Sequence, residues 1–265
     1  MNDIGATLPF ETAAVSHPGR VRSHNEDSLV LRPECGLWAV ADGMGGHENG
    51  AMASATVAAA LDAIGPAGSA AELLDRLEKS VLEANAELRL KIREQDGTTM
   101  GSTLAVLLAH DRHFACVWAG DSRIYLVRGG RITQVSRDHT EAQDMIERGL
   151  LTAEEARRWP RRHVITRAIG VHDRPELELD NGELEGGDTF VLCSDGLTDH
   201  VFDEEILRAA AGDSVQVACD ALLALTLERG ATDNVTVIVV RYHQAGGGKT
   251  TRWVPNMRRP RNDAP

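Results

Sequence analysis

The chain has 265 residues, 42% of them hydrophobic, enough for one large domain or two small ones with a substantial core. Its 40 acidic residues against 28 Lys and Arg give a formal charge of −12, which repels a polyanionic backbone and argues against nucleic acid as a partner. No apolar run approaches the roughly 18 residues of a membrane span, the first twelve residues carry no secretory pattern, and Cys35, Cys116, Cys193 and Cys219 are widely separated; these features predict a cytoplasmic monomer with reduced thiols and no membrane partner.

Short runs at 11–17, 28–32 and 37–41, each closed by Pro, Gly or Asp, predict strands of an antiparallel sheet. The pattern then turns helical. An Ala-rich stretch at 51–64 ends at Gly65-Pro66, and after Ser69 the residues Leu73, Leu77, Val81, Ala84 and Leu88 recur every three or four positions. Strands resume at 103–109, 113–118, 123–127 and 132–135, the last two joined by Arg128-Gly129-Gly130-Arg131, whose paired glycines suit a hairpin turn. Residues 140–159, rich in Glu and Arg with few apolar anchors, predict a helical excursion over the surface. Strands at 176–180 and 189–193, helices at 203–211 and 214–229, and a strand at 235–241 complete a domain spanning 11–243. Residues 244–265 form a basic, Gly-rich tail expected to be flexible, with Lys249, Arg252, Arg258, Arg259 and Arg261 near Trp253. Consecutive strands without intervening helices exclude a doubly wound parallel sheet; the predicted class is α+β, antiparallel sheets packed together with helix pairs outside.

Four acidic residues carry turn-like neighbours: Ala41-Asp42-Gly43, Gly120-Asp121-Ser122, Ser194-Asp195-Gly196 and Thr232-Asp233-Asn234. Each alone reads as turn chemistry. On the strand ends of one sandwich they can meet at a single rim, where their repulsion calls for bound cations. A ligand set of carboxylate oxygens, without histidine or thiolate, selects Mg²⁺ or Mn²⁺ over zinc or copper. Near the start, Arg22 precedes Glu26 and Asp27, adding two carboxylates and a planar fork that matches phosphate oxygens. Metal with phosphate points to hydrolysis.

Taken in order, Val21-Arg22-x-x-Asn25-Glu26-Asp27, Asp42-Gly43-Met44-Gly45-Gly46-His47, Gly120-Asp121-Ser122-Arg123, Asp138-His139-Thr140, Ser194-Asp195-Gly196-Leu197-x-Asp199 and Asp233-Asn234-x-Thr236 resemble the motifs of the bacterial protein phosphatase 2C, or PPM, family across about residues 11–241. The resemblance implies a four-layer α-β-β-α sandwich with two Mn²⁺ or Mg²⁺ ions in a cleft at one sheet edge. It also implies hydrolysis of phosphoserine and phosphothreonine in proteins by a hydroxide between the ions, opposing a bacterial Ser/Thr kinase and acting on its substrates. By matching position, Asp42 would bridge both ions, the Gly43 carbonyl would bind one, and Asp195 and Asp233 would hold the other. Glu26 and Asp27 would act through water and orient Arg22, which would fix the phosphoryl group. Asp121 with Asp195 would take a third, weaker ion, Asn234 would support the ligands from behind, and 138–167 would form a mobile flap.

Met44 stands where many eukaryotic members carry a histidine for the leaving group, and methionine donates no proton. That proton would come from metal-bound water or another group. His47 and His139 are candidates, and each also has a structural reading, His47 as a helix-start residue and His139 as a partner of Asp138. Two decoys fail: Gly248-Lys249-Thr250 lacks the first glycine of a P-loop, because His243 stands there, and the residue six after Cys193 is Asp199, not the arginine a cysteine phosphatase needs.

Overall fold

Two nearly unbroken aliphatic runs become inner strands of two different sheets in the computed structural model, which describes residues 9–46, 48–95 and 99–243. One is β5 (Leu104–His110), the other β11 (Val235–Tyr242). The first sheet sets β11 between β1 (Phe10–His17) and β10 (Thr189–Cys193), followed by β7 (Arg123–Arg128) and β8 (Arg131–Gln134). The second runs β2 (Asp27–Arg32), β3 (Leu37–Met44), β5, β6 (His113–Ala119) and β9 (Glu178–Glu183), with the two-residue β4 (Gly101–Ser102) beside the end of β3. Every pairing is antiparallel.

Alternation along the strands explains why these runs carry no polar face. Trp38 and Val40 point between the sheets with Leu107, Phe190, Leu192 and Ile238, whereas Leu37, Ala39 and Ala41 point outward under helices. Both faces are covered, so both must be apolar. On the second sheet the cover is α1 (Glu48–Asp62) and α2 (Ala70–Glu94), which bury Val57, Leu61, Leu73, Leu77, Val81 and Leu88. On the first it is α6 (Asp203–Ala210) and α7 (Val215–Glu228), packed through Ile206, Cys219 and Leu222 onto Val191, Val237 and Val239. The layers are therefore α-β-β-α, as expected. Ser69 and Ser214 cap α2 and α7, their hydroxyls accepting from Glu72 N at 3.2 Å and Val217 N at 3.4 Å.

The expected elements differ from the observed ones where side-chain pattern is weakest. β3 continues three residues past Ala41, because Gly43 and Met44 pair with Ser102 and Gly101 of β4; Asp42 thus lies within the strand, not past its end. β4 itself, a Gly and a Ser, carries no strand signature. α1 begins at Glu48, whose charge suits a helix N-terminus, although Glu48-Asn49-Gly50 reads as a turn. β9 runs 178–183 instead of 176–180; it is an edge strand, and its Asp180-Asn181-Gly182 looks like a turn. The polar insert is two short helices, α3 (Glu141–Glu147) and α4 (Ala153–Arg157).

All four cysteines are buried and free. No helix among the described residues is long and apolar enough to cross a membrane. His47 and the basic tail at 244–265, with its P-loop decoy, lie outside the described residues.

Candidate metal centre

The site begins with an unfavourable pairing. Asp27 on β2 stands directly opposite Asp42 on β3, a position where like charges repel. Asp27 accepts from Ser194 Oγ at 2.8 Å through Oδ2, and its Oδ1 is buried without a hydrogen-bond partner. Burial, with the Asp195 and Asp233 charges adding, pushes its carboxyl up to about 7. Asp42 is driven well above the ordinary range, first by burial and then by Asp27, Asp195, Asp121 and Asp233. Five carboxylates from five parts of the chain therefore share one small volume.

Glycines let the backbone close around it. A β-carbon at Gly43 would collide with the Gly50 carbonyl in the first turn of α1, and one at Gly50 would collide with Glu26 Oε2 and lie 2.9 Å from the Gly43 carbonyl oxygen. Glu26 and the Gly43 carbonyl thus meet where side-chain-free residues permit it. A β-carbon at Gly196, in the short helix α5 (Asp195–Thr198), would likewise strike the Asn234 carbonyl, so Asp195 and Asp233 are brought together by the same device. Asn234 ties the 18–26 loop to β11: its Oδ1 accepts from Glu26 N at 2.8 Å, and its Nδ2 donates to Pro18 O at 3.0 Å and His24 O at 2.8 Å.

Asp121 sits in the β6–β7 turn, 6% exposed. Burial raises its carboxyl, with Asp195 and Asp138 adding and Arg123 opposing. Arg123 grips Asp138 in a fork, Nε to Oδ1 at 2.9 Å and Nη2 to Oδ2 at 2.7 Å.

Two expectations need correction. Arg22 is oriented by Asp233, whose Oδ2 accepts from Nη2 at 2.6 Å, and not by Glu26 and Asp27. Glu26 acts on it only at longer range. Asp138 is taken by Arg123, so His139 is not its partner; His139 is buried, stacks on Trp118 and accepts from Gly120 N at 3.2 Å. A histidine absent from the expected set, His163, from the segment carrying α3 and α4, lies beside it, with Nδ1 3.6 Å from Asp195 and Nε2 3.6 Å from Asp199. Asp195 is the main cause of its raised imidazole pKa. Ligand atoms of Asp121, His163 and Asp195 all fall within 4.8 Å of one another. Arg161-Arg162-His163 reads locally as a solvated basic run, and only the flanking motif Asp195-x-x-x-Asp199 hinted at this neighbourhood.

Asp121, Asp138, His163, Asp195 and Asp199 line a cleft of about 470 Å³ between α3 and α4 on one side and α5 and α6 on the other. Unpartnered buried carboxylate oxygen, a backbone carbonyl and clustered carboxylates fit hard divalent cations.

Comparison with known proteins adds independent findings. A sequence profile described as Protein phosphatase 2C matches residues 19–229. The serine/threonine protein phosphatase PstP of Mycobacterium tuberculosis is 40% identical over 234 residues, covering 88% of this chain but 45% of its own length, so the chain spans about half of that relative. The serine/threonine phosphatase Stp of Listeria innocua is 31% identical, covering 84% of this chain and 92% of its own. Among solved structures, PppA, a regulatory component of the T6SS in Pseudomonas aeruginosa, superposes with a TM-score of 0.83 at 38% identity, covering 88% of this chain and 97% of its own. The PstP catalytic domain in complex with two manganese ions gives 0.79 at 38% identity, with 90% and 100% covered.

Proposed function

The chain belongs to the protein phosphatase 2C family, and on that premise we propose that it hydrolyses phosphoserine and phosphothreonine in proteins with two Mn²⁺ or Mg²⁺ ions. The observation that carries this reading is the crowding of Asp27, Asp42, Asp121, Asp195 and Asp233, each of the first three raised by burial and by its neighbours. Such repulsion is tolerated where cations offset it. Asp42, the Gly43 carbonyl, Asp195 and Asp233 would hold the two ions, Glu26 and Asp27 would act through intervening water, and Asp121 with Asp195 would hold a third. When bound, the ions supply the Lewis acidity that makes hydroxide available from water near neutral pH.

The chain's own residues do the rest. Arg22, with one nitrogen engaged by Asp233 and its side chain half exposed, has the remainder of its fork to place against phosphoryl oxygens. Its charge also offsets what develops as the bond to the leaving oxygen breaks. Met44 has no proton to give and His139 is enclosed, so the leaving alkoxide would take its proton from water or another group. Asn234 keeps Arg22 and Glu26 on one rigid loop. Residues 138–167 would act as a flap over the cleft, anchored at its base by the Thr140–Ile165 bridge. The substrates would be proteins phosphorylated by a bacterial Ser/Thr kinase, a reading supported by the serine/threonine phosphatases among the relatives.

Hydrolysis of p-nitrophenyl phosphate and of a phosphothreonine peptide tests this, measured for the wild type and Asp195→Ala across a Mn²⁺ titration with a chelator control. Expected is strict metal dependence and at least about a hundredfold loss in the variant, with the circular-dichroism spectrum kept. Turnover that survives chelation would sink the proposal.

A further inference from the structure

We propose that His200 is the positioning residue for Asp233, bracing the loop that carries this carboxylate against the helix that carries Asp195, so that both acids face one ion. The inference rests on the reading of Asp195 and Asp233 as ligands of a shared ion and gives a role to a histidine outside that set.

Three observations support it. First, the His200 ring reaches from the exit of α5 to the loop between α7 and β11, where its Nε2 accepts from Thr232 N at 3.2 Å and lies 3.2 Å from Thr232 Oγ1. An amide nitrogen can only donate, so Nε2 is the unprotonated ring nitrogen, and it holds the residue directly before Asp233. Second, that loop needs holding. Ala231 has a φ of 40°, a left-handed conformation that a residue with a β-carbon keeps only where its surroundings impose it, and Gly230 before it has a φ of 115°. Arg20 N secures the same loop from the other side by donating to Ala231 O at 2.9 Å. Third, both backbone polar groups of His200 are themselves anchored. Its N–H donates to Leu197 O of α5 at 3.0 Å, and its carbonyl accepts from Arg229 Nη1 at 2.6 Å. The Arg229 guanidinium also grips Glu205 on α6, at 2.7 and 2.8 Å. The ring is thus a strut set between ordered elements.

The strut has a consequence for the phosphoryl group. Asp233 divides its oxygens, Oδ1 accepting from Asn234 N at 2.8 Å and Oδ2 from Arg22 Nη2 at 2.6 Å. A displaced loop therefore shifts a metal ligand and the guanidinium meant for phosphoryl oxygens together. Partners that orient a ligand from behind typically cost about ten- to a hundredfold in metal affinity when removed.

The test is calorimetric titration of the full-length, metal-stripped protein with Mn²⁺, for the wild type, His200→Ala, His200→Gln, Asp233→Asn and the double variant of His200→Ala with Asp233→Asn. Glutamine carries an amide oxygen that can accept from Thr232 N in place of the imidazole nitrogen. Expected is a fall of at least about tenfold in His200→Ala, at the same Mn²⁺ site that Asp233→Asn weakens. His200→Gln recovers most of that loss, and every variant keeps the wild-type circular-dichroism spectrum. In the Asp233→Asn background His200→Ala costs little more, because the strut acts through the carboxylate already removed. Wild-type affinity in His200→Ala, equal losses in His200→Ala and His200→Gln, or losses that add in full in the double variant each overturn the proposal while leaving the phosphatase reading intact. A wild type that binds no Mn²⁺ tightly overturns both.

Discussion

Asp27 and Asp42 oppose each other across a strand pair in a buried setting, so each destabilises the metal-free fold in proportion to what it contributes to holding cations. Asp42→Asn should therefore raise the melting temperature of the metal-stripped protein at pH 8 while abolishing turnover. Each kcal/mol relieved is worth roughly 2–4 °C in a domain of this size, and scanning calorimetry under chelator reads it. A lowered melting temperature would mean that the pair is not under repulsive strain. Arg22 makes the complementary case. Arg22→Lys keeps the charge but not the planar fork, so kcat/KM on a phosphopeptide should fall about tenfold or more, a loss of about 1.4 kcal/mol. Which acids gather was legible in the sequence, because Asp42, Asp121, Asp195 and Asp233 all sit beside residues that bend the chain. Which partners they choose was not: Arg22 with Asp233, and His163 between Asp195 and Asp199, join residues far apart in the chain, and no local pattern encodes those contacts.

At the level of elements, the structure rests on a clip between the β6–β7 turn, which carries Asp121, and the start of the segment that carries α3 and α4. The Arg123–Asp138 fork is one half of it; His139 N donating to Gly120 O at 2.8 Å, with Gly120 N donating back to the His139 ring, is the other. Tyr125 extends the network to Asp203 on α6 at 3.2 Å. Breaking one partner of such a largely buried pair typically costs about 3–5 kcal/mol, whereas replacing both with apolar residues can be neutral. Arg123→Met should thus lower stability to urea by that order, and adding Asp138→Leu should restore most of it; an undiminished loss in the double variant would mean that Arg123 acts through other neighbours. Elements with a clear period, such as α2 with its apolar stripe or the Gly129-Gly130 hairpin with both φ angles positive, were readable in the sequence. β4, α5 and the shifted β9 were not, because their residues are small or polar and their geometry comes from pairing with strands already in place.

For the whole molecule, the shifted groups of the carboxylate cluster and of the cleft beside it combine into one dependence on pH. Asp27 rises from an ordinary 3.8 to about 7, and Asp42, Asp121, Asp199 and His163 are raised as well. A group whose pKa is raised on folding binds more protons in the native state. Its contribution is complete below its unfolded value and disappears as pH climbs through the folded one. All five act in the same sense, and for Asp27 the window runs from about 4 to about 7. Glu205, lowered to about 2 by Arg229, acts only below that window. The metal-stripped protein should therefore lose melting temperature steadily between pH 5 and 8. Bound cations compete with those same protons, so saturating Mn²⁺, worth about 2.7 kcal/mol at a hundred times its Kd, should stabilise the fold far more at pH 8 than at pH 5. Melting curves with chelator and with Mn²⁺ across that range should diverge as pH rises. Parallel curves would mean that the ions bind somewhere other than among these carboxylates.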